Sequence, residues 1–222
     1  MLGGLNTRVM MEYLPEIWQG FLATLFLSTA SFVGAMALGV LACALTIQPL
    51  RWLRAPAVVY VDVIRATPLL AQLYFLYFGL PRLGVVLPEM LIGIIVLSLN
   101  SGAYMAEIIR SGILSIPRGQ VEAGMSTGLG YMQRMRLIVL PQALRTTVSP
   151  LIGQAIVLVK DSSLLSLISV VELTRAGQRI AIDRFMPVEG LVATALGYLV
   201  LYYLLKSAAG AWQARNSIPG RG

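Results

Sequence analysis

From residue 17 to residue 50 the chain carries no charged side chain, and the apolar part of that run, residues 17–47, is longer than the ~20 residues that cross a hydrocarbon core as a helix. The run begins after Glu12 and Glu16 and far exceeds the 7–15 residues of a signal h-region, so it is expected to be retained as a tilted or overlong helix. Further uncharged windows cover residues 66–81, 90–106, 146–159, 162–171 and 190–205. With 57% hydrophobic and 12% charged residues and a mean hydropathy of +0.78, the chain lies outside the roughly 45–50% apolar content of soluble domains.

The expected fold is therefore all-α and integral to the membrane, a single domain of five helices at about 17–47, 55–79, 88–111, 142–169 and 188–207. Gln48-Pro49 and Gly79-Leu80-Pro81 supply the turns between the first three. Each segment reads as too apolar for an amphipathic surface helix. No internal repeat or low-complexity tract stands out, and residues 216–222 are expected to form an unstructured tail.

The net charge of +7 does not point to nucleic acid, because the arginines are dispersed between apolar segments instead of forming a face. They point to topology. Arg51 and Arg54, the five arginines Arg110, Arg118, Arg134, Arg136 and Arg145, and finally Lys206, Arg215 and Arg221 all fall on one side of a five-helix chain. By the positive-inside rule that side is the cytoplasm, which puts the N-terminus outside and the C-terminus inside. The other side holds Arg8 with Glu12 and Glu16, Arg82 with Glu89, and Arg175, Arg179 and Arg184 beside Glu172 and Asp183.

There is no His, and the single cysteine, Cys43, lies within the first apolar run, so neither a zinc site nor an internal disulfide is expected and no metal is assigned. The only lysines, Lys160 and Lys206, do not follow glycine as a Walker A loop requires. No cofactor is expected on this chain, and any ATP it uses must be hydrolysed by another.

The loop of about 112–141 is polar and hinged by glycine. Ser115 can cap a helix whose first turn holds Pro117, where the missing N–H costs nothing. That helix of about ten residues would carry Glu122 and end at Gly128-Leu129-Gly130, and a second, from residue 131 to 140, would stop at Pro141. Met125, Leu129, Met132 and Met135 give the resulting knob flexible apolar side chains for a partner's groove. An interfacial hairpin with Arg134 and Arg136 on lipid phosphates fits the same composition.

The spacing within that loop carries a resemblance. Glu122-Ala123-Gly124, three residues, Gly128, nine residues, then Ile138-Val139-Leu140-Pro141 resembles the EAA loop of permease subunits of bacterial ATP-binding-cassette importers, with Gly124 where the pattern has alanine. Arg65-Ala66-Thr67-Pro68-Leu69-Leu70, Asn100-Ser101-Gly102-Ala103-Tyr104-Met105-Ala106-Glu107-Ile108-Ile109-Arg110, Ser115-Ile116-Pro117-Arg118-Gly119-Gln120 and Lys160-Asp161-Ser162-Ser163-Leu164 extend it to about residues 14–208 and narrow it to the histidine, glutamine and arginine permeases.

The resemblance implies a methionine-permease-like (type I importer) fold in the bacterial inner membrane and a dimer with a second copy or a similar permease. It also implies two ATPase subunits carrying ATP and Mg, an extracytoplasmic binding protein, and a polar amino acid as substrate. Glu122, Ala123, Gly124, Gly128, Leu129, Ile138, Leu140 and Pro141 would then form the coupling loop that enters the ATPase and transmits its closure.

Ionisable groups inside spans cost about 2.5–3.5 kcal/mol on insertion scales and so usually face protein or water. Asp62, Arg65, Glu107, Lys160 and Asp161 are the candidates here. Asp62 and Arg65 share a helix face, as do Glu107 and Arg110, so structural ion pairs stand beside a pathway role. Pro68 should bend helix 2. Lys160-Asp161-Ser162-Ser163 interrupts helix 4, with Lys160 and Asp161 about 100° apart. Asp161, Ser162, Ser163 and Asn100 suit a zwitterionic amino acid, though helix caps need the same residue types. Tyr74, Phe75, Tyr77 and Phe78 form a cation cage or an interfacial belt. Two other functions remain open at this point: an ion-coupled secondary transporter using Asp62, Glu107 and Asp161, and a non-transporting scaffold or sensor that recruits an ATPase.

Overall fold

The computed structural model describes residues 5–216, with side chains as far as residue 210, so the tail beyond Asn216 lies outside the described residues. Every regular element among them is helical. The order is α1 (Thr7–Glu12), α2 (Leu14–Thr46), α3 (Arg51–Ala66), α4 (Leu69–Arg82), α5 (Glu89–Leu114), α6 (Arg118–Ser126) and α7 (Tyr131–Arg134). A π-helical turn (Met135–Val139), α8 (Leu140–Asp161), a 3₁₀ segment (Ser162–Ile168), α9 (Leu173–Arg184) and α10 (Pro187–Asn216) follow.

Four stretches are long and apolar enough to cross a membrane: Leu14–Thr46, Glu89–Leu114, Tyr131–Ile168 and Pro187–Gly210. The pair Arg51–Ala66 and Leu69–Arg82 makes a fifth if counted as one span. That pair corrects the expectation of a single bent helix at 55–79. The residue before a proline is driven out of the helical region, and Thr67 accordingly sits at φ −112° and ψ 144°. Its Oγ1 donates to the carbonyl of Val63 at 2.9 Å, so a carbonyl freed by the break is satisfied. The chain turns by 106° there, a break and not a bend. Nor is α3 uniformly apolar: Ala57 and Val61 are buried, while Arg54, Asp62 and Arg65 are exposed.

The chain packs as two compact units. One comprises the chain up to Phe32, Leu69–Leu97 and the chain from Ala155 onward; the other comprises Val33–Pro68 and Ser98–Gln154. Helices α2, α5 and α8 therefore contribute residues to both.

In the first unit, Leu27, Leu73, Ile92, Val96, Leu165 and Ile168 form a buried apolar cluster. A second joins Val159, Leu173 and Leu201 to Ile17, Phe21 and Tyr198. Because lipid is as apolar as leucine, close backbone approach at small residues holds membrane helices together more than apolar burial does. Helix α9 meets α10 in this way: a β-carbon on Gly177 would fall 2.6 Å from the carbonyl oxygen of Gly190. The second unit uses the same device between α2 and α5. A β-carbon on Gly39 would lie 2.8 Å from the β-carbon of Met105, and one on Gly102 3.0 Å from that of Leu38. Beside this seam Ala42, Cys43, Val61 and Ala106 are buried together, and Tyr60 Oη donates to the carbonyl of Leu99 at 2.7 Å.

Candidate functional site

The segment between α5 and α8, all in the second unit, folds as a knob. Ser115 does not cap α6; its Oγ donates to the carbonyl of Gly112 and closes α5, while Pro117 takes the N-cap position of α6. Helix α6 ends where Gly128 adopts φ +80°, a conformation that disfavours residues with a β-carbon. The N–H of Leu129 then reaches back to the carbonyl of Gly124 at 3.0 Å and that of Gly128 to Met125 at 2.9 Å, the paired bonds of a glycine-terminated helix. Arg134 Nη1 donates to the carbonyl of Leu129 at 2.6 Å, and the N–H of Gly130 donates to Gln133 Oε1 at 2.9 Å. The hinge is thus held from both sides.

The helix that follows does not stop at Pro141. It runs through the π-helical turn into α8 because the N–H of Leu140 bonds five residues back, to the carbonyl of Met135, a register shift that admits the proline ring. Gln142 Nε2 donates to Gln120 Oε1 at 2.5 Å and to the carbonyl of Ile138 at 2.8 Å, which ties α6 to the start of α8.

Gly124, the departure from the alanine of the resembled pattern, is buried, and a β-carbon there would sit 2.7 Å from Cδ1 of Ile138. The Ile138 methyl occupies the alanine's place. Glu122, Ala123, Gly128, Leu140 and Pro141 are exposed, while Leu129 and Ile138 are half-buried. Of the four apolar side chains expected on the knob, Met125 and Met132 are exposed, at 51% and 72%, and Leu129 and Met135 are half-buried; Tyr131 and Leu137 join the exposed set.

The intramembrane polar groups divide between the units. In the first, α8 ends at Asp161 and tightens into the 3₁₀ segment, which closes at Ser169 with φ +67°. Ser162 is buried and its Oγ donates to the carbonyl of Val159 at 2.7 Å; Ser163 is half-buried, and its carbonyl accepts from Ser166 Oγ at 2.8 Å. These serine hydroxyls act on the helix break. Asp161 does not: it makes no capping bond and, among the described residues, no ion pair, and it is half-buried while Lys160 is exposed.

Glu172 is expected from the sequence only as a loop charge. It is buried completely, caps α9 by accepting from the N–H groups of Thr174 at 2.7 Å and Arg175 at 2.8 Å, and accepts from Tyr198 Oη at 2.9 Å. The signal available was an acidic residue immediately before the helical spacing of Leu173, Ala176, Gly177 and Ile180. Burial pushes its carboxyl above the ordinary value, against the hydrogen bonds that pull it down. Nearby, Arg184 pairs with Glu12 and Arg179 with Glu16, so charges assigned to one side of the membrane do meet.

In the second unit Asn100 is buried, at 6% exposure. Glu107 and Arg110 form the expected i, i+3 pair, with Arg110 Nε donating to Oε2 at 2.8 Å. Asp62 and Arg65 do not pair; the Arg65 guanidinium lies 5.4 Å from the ring centroid of Tyr104. Arg54, Asp62, Arg65, Glu107 and Arg110 line one cavity of about 260 Å³. Tyr74, Phe75 and Phe78 line an open hollow with Arg82, whose charge opposes a cation cage, while Tyr77 packs against the buried cluster of the first unit; Phe75 and Phe78 are exposed as an interfacial belt requires.

Long apolar helices, a second span broken at a proline, and exposed apolar side chains about the Gly128 hinge define a polytopic membrane protein. The chain belongs to the family of inner membrane components of binding-protein-dependent transport systems, matched over residues 35–217. It is 36% identical over 208 residues to a probable amino-acid ABC transporter permease of Bacillus subtilis, covering 94% of this chain and 90% of that one. It is 37% identical over 196 residues to the glutamine transport system permease of Escherichia coli, covering 86% and 89%. Among solved structures, a chain from the crystal structure of an amino acid ABC transporter with histidines superposes with a TM-score of 0.91 at 30% identity, covering 97% of this chain and 100% of that one. A methionine ABC transporter chain in an inward-facing form superposes at 0.78 with 20% identity, covering 92% and 98%, a likeness of fold.

Proposed function

We propose that this chain is the membrane-spanning permease subunit of an ATP-driven amino-acid importer, with the knob of α6 and α7 as the element a separate ATPase grips. The carrying observation is that exposed Met125, Tyr131 and Met132 surround a hydrogen-bonded hinge at Gly128–Gly130, between the apolar stretches Glu89–Leu114 and Tyr131–Ile168, an apolar surface that suits a partner's groove. Glu122 lies on the exposed side of α6 and can answer a cationic residue of that groove. Because the hinge is bonded to both helices and Gln142 ties α6 to α8, movement of the groove is passed to α8 as a rigid-body displacement. Closure of two ATPase subunits on ATP and Mg, and docking of an extracytoplasmic binding protein, each bias the inward–outward equilibrium through differential affinity for the two states. The chain itself catalyses nothing covalent.

The N-terminus lies outside and the C-terminus in the cytoplasm, which places the knob on the ATPase side. The two units belong to one permease domain, and a second copy or a similar permease completes the pathway. The substrate is a polar amino acid, with selection left largely to the binding protein. Asp161 is the residue assigned to meet a substrate ammonium, a reading supported by its half-buried carboxylate, which makes no capping bond and, among the described residues, no ion pair. The ion-coupled alternative loses Glu107, which Arg110 already neutralises.

The test is affinity purification of the chain from mildly solubilised native membranes with mass spectrometry of what accompanies it. Recovery of an ATP-binding-cassette subunit is expected. A solitary chain that takes up amino acids under an ion gradient after reconstitution would overturn the proposal.

A further inference from the structure

The first unit carries an apolar groove of about 450 Å³ between α1, the head of α2 and α10. Helix α1 turns one stripe of its surface toward it, Thr7, Met10 and Met11, and Leu14 continues that stripe into α2. Trp18 and Phe21, stacked with ring centroids 5.4 Å apart, form one wall. Leu196 and Val200 form the other, and the small residues Ala193 and Gly197 between them leave the recess. The groove runs along two helices long and apolar enough to cross a membrane, and Trp18, Leu196 and Val200 are exposed in it. Its mouth is polar. The N–H of Asn6 donates to Glu189 Oε1 at 3.3 Å, Tyr13 Oη donates to Asp183 at 3.4 Å, and Glu12 and Glu16 pair with Arg184 and Arg179. Arg8, one turn before Met11 on the flank of α1, is exposed and takes part in no ion pair or hydrogen bond among the described residues.

We propose that this groove holds one acyl chain of a phospholipid, with Arg8 receiving the phosphate. The inference goes beyond the importer reading and requires only that α2 and α10 cross the membrane. The guanidinium fork matches a phosphate, and each carboxylate about the mouth already accepts from a donor of the chain, so one unengaged cation stands beside an apolar recess. That pattern complements a phosphate joined to a hydrocarbon tail. Helix α1 has the corresponding character, an apolar stripe turned inward and a cation outward, as a helix lying at headgroup level does. A helix of another membrane protein is too wide for the recess. From Ala193 to Val200 the groove follows α10 for about 10 Å, and a helix ~10 Å across fills roughly 800 Å³ over that length. That is well above the 450 Å³ present, whereas a single flexible acyl chain is narrow enough to enter.

The test is photolabelling of the full chain, purified with whatever accompanies it and reconstituted in phosphatidylethanolamine vesicles. The probe is phosphatidylglycerol carrying a diazirine in one acyl chain, and labelled positions are read by peptide mass spectrometry. Leu22 and Leu199 serve as internal controls, since both are exposed on the same two helices, next to or near groove residues in sequence, and do not line the groove. Labelling at Phe21 and Leu196 should exceed labelling at Leu22 and Leu199 several-fold and should saturate as probe is added. Equal, unsaturated labelling at all four would mean bulk lipid only and overturns the site. Absence of labelling in the groove while Leu22 and Leu199 are labelled, as when another chain fills it, overturns it equally. Arg8→Gln should raise the probe concentration for half-maximal groove labelling roughly fivefold, the effect of one arginine near a lipid surface. The same variant should leave labelling by a diazirine diacylglycerol, which has no phosphate, unchanged. An equal shift for both probes, or none for either, overturns the role of Arg8 and with it the proposal. Arg8 is exposed and the control positions report on the same sample, so loss of folded protein does not imitate the expected result.

Discussion

Gly128 offers the sharpest test of the knob. It sits at φ +80°, and a β-carbon built on it meets nothing within 4 Å, so a side chain there costs backbone strain and no steric clash within this chain. Holding an L-residue in that region costs roughly 1–2 kcal/mol, less for Asn and Asp, which visit it through local hydrogen bonds. Within the isolated subunit Gly128→Ala should therefore be the most destabilising of three substitutions, and Gly128→Asn and Gly128→Asp should cost about 1 kcal/mol or less. Function should rank otherwise. If the hinge lies in an ATPase groove, Gly128→Asp adds bulk and charge at the contact and should abolish uptake or uncouple it from hydrolysis, with Gly128→Asn intermediate. The assay compares ATP hydrolysis and uptake per assembled complex in proteoliposomes, alongside the amount and melting temperature of inserted subunit. Unchanged uptake in Gly128→Asp would refute the role of the hinge. So would a loss of uptake that merely follows the loss of folded subunit in the order Ala, Asp, Asn.

Other perturbations probe the remaining parts. Asp161→Asn in an intact complex should lower transport or raise the apparent substrate constant several-fold, and identical uptake curves would remove Asp161 from the pathway. Since burial raises the Glu172 carboxyl above its unfolded value, the stability it contributes is full below the ordinary carboxylate pKa and declines as pH rises through the raised value. Glu172→Gln should flatten that dependence in melting curves taken across acidic to neutral pH, and an unaltered slope would contradict the assignment. Gly102→Ala would place a β-carbon 3.0 Å from Cβ of Leu38 and 3.1 Å from Tyr60 Oη. Overpacking of about 1–3 kcal/mol should outweigh the ~1 kcal/mol that alanine gains in a helix, whereas Gly210→Ala, with nothing within 4 Å, should show only the gain. Equal melting temperatures for the two would argue against the α2–α5 seam.

The sequence by itself determined the elements whose causes are local. Uncharged runs longer than a bilayer is thick specified helices, the glycine at 128 specified a hinge, and Glu107 found Arg110 because three residues of helix bring them to one face. Other features depended on atoms distant along the chain or on competing local bonds. Pro68 was legible as a disturbance, but whether a proline bends or breaks a helix depends on what else satisfies the freed carbonyls, and Thr67 decides it here. Pro141 looked like a stop because no local rule foretells the π-helical turn that carries the helix past it. Asp62 and Arg65 had the spacing of a pair, yet the ring of Tyr104, 39 residues beyond Arg65 in sequence, holds the guanidinium instead. Glu172 became a buried cap only when Tyr198 was brought to it from α10. Helical periodicity fixes which residues share a face, and the tertiary structure alone decides what each face meets.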